Sequence, residues 1–155
     1  GYYKAPAHNA KVFDSEGFYH SGDLVRRNDK GYLTVVGRDK DQINRGGEKI
    51  AAEEIENLLL KHELIMHSAL VSMPDSMMGE KSCAFIVPKI ASHGMRGLSL
   101  RKYLRELGVA DYKVPDRFEF IESLPLTPVG KPNKVALREV IRQRLQLNSQ
   151  LDKTL

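Results

Sequence analysis

From residue 51 onward the hydrophobic spacing alternates between helical and strand periods in the order helix, two strands, helix, strand, loop, helix, and this order constrains the fold most. In AAEEIENLLLKH, residues 51–62, Ile55, Leu58 and Leu59 recur at helical spacing, and the glutamates lie in the first turns, where the helix dipole favours negative charge. HSALVSM and KSCAFIVPK have the apolar, β-branched content of strands, and MPDSMMGE between them carries turn residues. LSLRKYLREL repeats Leu100, Tyr103, Leu104 and Leu107 and stops at Gly108, a helix C-cap. RFEFIE alternates as a strand. A proline-rich loop follows, and Asn133 can cap a last helix with Leu137, Val140, Ile141 and Leu145 on one face. Antiparallel strands mixed with helices predict a compact α+β domain of roughly a hundred residues, a common domain size.

The first fifty residues are less regular. FYH (Phe18 to His20) and YLTVVG (Tyr32 to Gly37) read as short strands of a small hairpin, with the turn-prone RRNDKG between them. RDKDQINRGGEKI, residues 38–50, is polar and charged and holds the pair Gly46-Gly47, which suits a loop or a junction between units. A domain boundary is placed there. The chain opens at GYYKAPAHNAKVF without a methionine, in what reads as the middle of a surface segment, so a piece of something longer is expected. The terminal NSQLDKTL has little to anchor it and is expected to fray.

Composition removes several function classes. At 155 residues and 41% hydrophobic content a real core is expected. The 24 basic and 20 acidic residues leave +4, too mild and dispersed for a nucleic-acid stripe. No apolar run has the length of a membrane span and no signal peptide is evident, so the cytoplasm is expected. The single cysteine, Cys83 in SCAFIV, can form no internal disulfide and reads as a small core hydrophobe. The five histidines, His8, His20, His62, His67 and His93, lack zinc-site spacing, and no structural metal is expected.

Three places exceed what folding requires. In YHSGDL, Asp23 follows a Ser-Gly turn, where a carboxylate can accept two hydrogen bonds from a vicinal diol such as a ribose; a plain turn or Asx-cap explains it as well. In GRDKDQINRGGEK, adjacent glycines allow close backbone approach to a ligand, or large dihedral changes at a hinge; a solvated linker is the bland alternative. In LPLTPVGKPNK, Lys131 sits between Gly130 and Pro132. Its ammonium suits phosphate or carboxylate oxygens, and Pro125, Pro128 and Pro132 lower the entropy cost of ordering the loop. A surface lysine in an ordinary turn is the alternative. There is no G-x-x-x-x-G-K-[ST] loop, no G-x-G-x-x-G and no defensible nucleophilic triad.

Taken in order, YHSGDL, GYLTVVGRDKDQINRGGEKIAAEEIE and LPLTPVGK resemble the AMP-forming adenylate ligases, which include acyl-CoA synthetases, nonribosomal peptide adenylation domains and luciferases. GYYKAPAHNAKVF with KDQINRGGEKIAAEEIENLLLKH looks most like the aryl-acid branch, the 2,3-dihydroxybenzoate or salicylate AMP ligases of siderophore biosynthesis. The resemblance implies a two-step reaction: ATP and an aryl carboxylate give aryl-AMP and pyrophosphate, and the aryl group then passes to the phosphopantetheine thiol of an aryl carrier protein. It implies that residues 1–39 are the tail of a large N-terminal adenylation domain and residues 40–155 a small C-terminal α+β domain. It further implies that Asp23 binds the ribose hydroxyls and Arg38 joins it at the nucleotide, that Lys40 is the hinge, that Lys131 is the catalytic lysine of adenylation, and that Gly46 and Gly47 turn towards the pantetheine tunnel after the small domain rotates. Magnesium is expected with ATP, but no residue of this chain is assigned to it. The phosphate loop and the acyl pocket belong to the large domain, so this stretch alone is expected to be inactive.

Two departures stand out: His20 and Ser21 replace the usual arginine and threonine before Gly-Asp, and KPNK replaces the commoner acidic pairing after the lysine. Two alternatives remain open. One keeps the enzyme and makes coenzyme A the acceptor. The other is a module that docks an acidic carrier through Lys81, Lys89, Arg96, Arg101, Lys102 and Arg105, charges that a solvated helix face would also explain.

Overall fold

A computed structural model describes residues 1–89 and 95–151 and divides into two compact units, Gly1–Lys40 and Asp41–Leu155. His93 and residues 152–155 of the terminal segment lie outside the described residues.

The first unit holds helix α1 (Pro6–Val12), with proline at its first turn, and the antiparallel strands β1 (Asp23–Arg27) and β2 (Leu33–Arg38). The first strand is therefore not Phe18 to His20, as the sequence suggested. Asp14 accepts the backbone N–H groups of Glu16 and Phe18 and folds this stretch into an Asx turn, which leaves Tyr19 only an isolated bridge to Phe13. The ladder starts after Gly22, whose φ of +74° redirects the chain.

The second unit is a mixed sheet with helices on both faces. A short 3-10 turn (Asp39–Asp41) leads to β3 (Gln42–Arg45) and β4 (Glu48–Ala51), then α2 (Ala52–Leu60), β5 (Ile65–Asp75), β6 (Gly79–Pro88), α3 (Gly97–Glu106), β7 (Arg117–Phe120) and α4 (Lys134–Leu151). Most of the polar stretch read as a loop or a junction between units is thus a β-hairpin. Ile43 and Ile50 are opposed and buried, while Gly46 and Gly47, at φ +59° and +98°, form the left-handed two-residue turn that such hairpins favour. The helix α4 runs through Leu151, so residues 148–151 are helical where fraying was expected.

The other elements after residue 50 follow the sequence pattern, because both faces of β5 and β6 are covered. On β6, Ala84 and Ile86 face a core shared with Ile55 and Leu59 of α2 and Leu100 and Leu104 of α3. Cys83, Phe85 and Val87 face the opposite core with Leu137 and Ile141 of α4. Burial on both sides explains why these strands read as continuous apolar runs. Along one edge β6 pairs with β5; the other edge takes β3 at Gly79 and β7 in parallel from Cys83 to Ile86. The parallel pairing was not legible from alternation alone. Burial pushes the Cys83 thiol up to about 12, in keeping with a core residue.

The ends of α3 and α4 close as their sequences predict. Gly108, at φ +80°, donates to the Arg105 carbonyl and Val109 to that of Leu104, the paired bonds of a glycine-terminated helix. Asn133 caps α4, its Oδ1 accepting the N–H of Ala136 at 3.1 Å.

Candidate functional site

In the first unit Asp23 and Arg38 are directly opposite in the β1–β2 ladder, at the open end of the hairpin. Arg38 Nε lies 3.0 Å from Asp23 Oδ1, and the two side chains keep 45% and 30% of their surface exposed. The N–H of Asp39 donates to the Gly22 carbonyl at 2.8 Å and closes the ladder just beyond the pair. The departure at position 21 is accommodated: Ser21 Oγ accepts the Asp23 N–H at 3.2 Å, so the hydroxyl orients the residue that follows it. His20 Nε2 lies 3.2 Å from Asp14 Oδ2. A partly exposed carboxylate fixed by a guanidinium can still accept hydroxyl donors.

Lys40 is exposed in the 3-10 turn between the two units. In the second unit the Gly46-Gly47 turn is tied down on several sides. The Gly46 N–H donates to the Met78 carbonyl at 3.0 Å, Gly47 N–H to Asn44 Oδ1 at 3.1 Å, and Asn44 N–H to Glu80 Oε2 at 2.9 Å. The glycine turn is therefore bonded to the β5–β6 turn beside it. That neighbouring turn is built on Asp75, which accepts the N–H groups of Met77 and Met78 and pairs with Lys81 at 2.7 Å. The Lys81 contact first, and then the Met78 N–H, hold the Asp75 carboxyl at about 2.

Lys131 occupies a turn more ordered than its prolines suggested. Leu126 and Pro132 form a β-bridge, the Thr127 N–H donates to the Lys131 carbonyl at 2.7 Å, and the Lys131 N–H donates to Thr127 Oγ1 at 3.2 Å. Gly130, at φ +79°, makes the reversal, with its N–H on the Thr127 carbonyl at 2.9 Å. The Lys131 backbone is held on both sides while its side chain is exposed and has no ion-pair partner among the described residues. The second departure also finds its place: the lysine of KPNK, Lys134, pairs with Glu56 at 2.8 Å, which offsets a positive charge at a helix N-terminus.

Another cluster escaped the sequence motifs. Arg45 on β3 makes a forked contact with Asp116, which also accepts the Ser82 N–H at 3.0 Å. Burial pushes the Asp116 carboxyl up, but the Arg45 and Ser82 donors outweigh it and hold it below the ordinary range. These contacts join β3, β6 and the approach to β7, and so brace the glycine hairpin. The residues expected to offer a basic docking face are largely occupied: Lys81 pairs with Asp75, Lys102 with Glu106, Arg105 with Asp111, and Arg101 donates to the Asp116 carbonyl. Among the described residues no group of three or more His, Cys, Asp or Glu could hold a metal ion, and no helix is long and apolar enough to cross a membrane.

An α+β unit with this sheet order, a glycine hairpin and a lysine turn before its last helix is structurally like the C-terminal domains of adenylate-forming enzymes. Residues 54–131 match the family described as AMP-binding enzyme C-terminal domain, and the chain belongs to that family. It is 58% identical over 144 residues to enterobactin synthase component E of Escherichia coli (strain K12), covering 93% of this chain and 26% of that protein. It is 55% identical over 145 residues to 2,3-dihydroxybenzoate-AMP ligase of Bacillus subtilis (strain 168), covering 94% and 26%. Among solved structures, o-succinylbenzoate CoA synthetase from Bacillus subtilis in complex with its acyl-adenylate intermediate aligns with a TM-score of 0.81 at 28% identity, over 89% of this chain and 28% of that one. The chain thus spans about a quarter of each of these proteins.

Proposed function

We propose that the chain is the C-terminal portion of an aryl-acid adenylating ligase of siderophore biosynthesis. Residues 1–39 are the end of the large adenylation domain and residues 40–155 the small domain. Exposed apolar residues in the first unit, among them Tyr3, Phe18 and Tyr32, suit a segment that packs in a larger body. In the first half-reaction a carboxylate oxygen of 2,3-dihydroxybenzoate, or salicylate, attacks the α-phosphorus of ATP. The new P–O bond gives aryl-AMP, and the bond to pyrophosphate breaks. Asp23 accepts the ribose hydroxyls, with Arg38 holding its carboxylate in place. Lys131 places its ammonium where negative charge gathers on the phosphoryl oxygens, a role in which losing one donor typically costs about 10²- to 10³-fold in rate.

In the second half-reaction the phosphopantetheine thiol of an aryl carrier protein attacks the acyl carbon. A thioester forms, AMP departs, and the thiol proton is released. The phosphorus is not attacked at that stage and passes through no pentavalent state, so the charge that Lys131 meets in adenylation does not form there. Rotation about Lys40 withdraws it and brings the Gly46-Gly47 turn towards the pantetheine arm. Magnesium accompanies ATP, and none of the residues named above is assigned to it.

The observation that carries this reading is the lysine turn: a backbone bonded on both sides of Lys131, with the side chain left exposed. The name of the Bacillus subtilis relative, 2,3-dihydroxybenzoate-AMP ligase, supports an aryl acid as substrate. An AMP-forming acyl-CoA synthetase is the second reading, favoured by the likeness to a CoA synthetase holding its acyl-adenylate. Pyrophosphate exchange by the full-length protein across a panel of aryl and fatty acids tests the assignment. Exchange confined to hydroxybenzoates, followed by transfer to a carrier, is expected. Exchange only with aliphatic acids, or transfer only to coenzyme A, contradicts it.

A further inference from the structure

The first turn of α4 is fastened by two ion pairs to parts of the unit distant in sequence. Lys134 Nζ lies 2.8 Å from Glu56 Oε1 on α2, with the two side chains only 15% and 13% exposed. The same Glu56 oxygen accepts the Leu70 N–H at 2.6 Å, on the outer edge of β5, so the pair joins the two helical layers around the edge of the sheet. One helical turn later, Arg138 Nη2 reaches Asp41 Oδ1 at 3.2 Å, with the side chains 28% and 19% exposed. Positions four apart lie on the same helix face, and Leu137 beside them is buried.

Shielded pairs of this kind add little net stability, because desolvation offsets the attraction; they fix geometry, since either partner alone is left with an unanswered charge. The geometry fixed in this unit is specific. Asp41 directly follows Lys40. Lys134 follows the Lys131 turn, whose base is closed by the Asn133 N–H on the Pro125 carbonyl at 2.8 Å. The residue just past the pivot, the start of α4 and the lysine turn are therefore one mechanical piece.

We propose that Arg138 and Lys134 are positioning residues for adenylation: through Asp41 and Glu56 they make the first turn of α4 a strut between the pivot and Lys131. Rotation at Lys40 then delivers the ammonium to one fixed position. This rests on the proposed roles of Lys40 as pivot and Lys131 as the adenylation lysine.

The test uses the full-length protein, with pyrophosphate exchange and transfer from supplied aryl-AMP measured separately, and with Lys131→Ala run alongside. Arg138→Gln and Asp41→Asn should each lower kcat for exchange on the order of ten- to a hundredfold, the scale of an ångström-level misplacement, with the KM for ATP unchanged. Transfer from supplied aryl-AMP should be nearly unaffected. The exchanged pair, Asp41→Arg with Arg138→Asp, should recover most of the lost rate, as expected if the two charges act as a pair. Lys134→Met should behave as Arg138→Gln does. An equal fall in both half-reactions, or a lowered Tm with exchange unchanged, overturns the proposal. If Lys131→Ala abolishes exchange while Arg138→Gln and Asp41→Asn do not alter it, the strut alone fails. If Lys131→Ala leaves exchange intact, the reading beneath it fails as well.

Discussion

Asp23 and Arg38 face each other across the last pair of the β1–β2 ladder, guanidinium to carboxylate at 3.0 Å, one residue before the 3-10 turn that holds Lys40. A carboxylate so placed is oriented by its neighbour while remaining partly exposed. With Asp23 as the acceptor of the ribose hydroxyls, Asp23→Asn in the full-length protein weakens ATP binding, since a hydrogen bond to a charged group contributes about 1.5–3 kcal/mol. A rise in the KM for ATP of roughly ten- to a hundredfold is expected from that range, with the KM for the aryl acid little changed. An unchanged KM for ATP would remove Asp23 from the nucleotide site.

Lys40 supplies a different handle. Proline fixes φ near −65° and removes the N–H, so Lys40→Pro stiffens the joint without touching either half of the site. Thioester formation should fall much more than pyrophosphate exchange. Thioester formation at the original rate would show that the chain does not pivot there.

The Asp75 carboxyl gives a prediction independent of function. Its value falls from the ordinary 3.8 to about 2, chiefly through Lys81. On acidification the unfolded chain therefore takes up this proton before the folded one does. The stabilisation is fully present above about pH 4 and is lost as pH falls through about 2. Denaturant unfolding should find wild type more stable than Asp75→Asn at neutral pH and the difference shrinking across that interval. A gap that stays constant to pH 2 would contradict the assignment.

The sequence disclosed the second unit well where one local rule acted alone. Ile55, Leu58 and Leu59 announced α2 by spacing, Gly108 ended α3, and Asn133 began α4. It failed where two signals competed. Residues 42–51 carry enough charge to look like a linker, yet Ile43 and Ile50 flank a Gly-Gly turn at symmetric positions, the pattern of a hairpin. At Phe18 to His20, aromatic residues suggested a strand, but Asp14 had already taken the nearby N–H groups. The ion pairs of α4 were beyond reach of any local pattern, because Arg138 and Asp41 are 97 residues apart. The candidate site was read from its motifs as a set of residues; the backbone bonds that hold the Lys131 turn were not legible there, because three prolines nearby read as irregularity rather than as a closed reversal.

The central claim is that Lys131 serves adenylation and not thioester formation. The most direct measurement compares pyrophosphate exchange with aryl transfer from supplied aryl-AMP in the full-length Lys131→Ala protein. Loss of about 10²-fold or more in exchange is predicted, with transfer preserved, because only adenylation passes through a pentavalent phosphorus whose added charge the ammonium meets. Equal loss of both, or undiminished exchange, would contradict that claim.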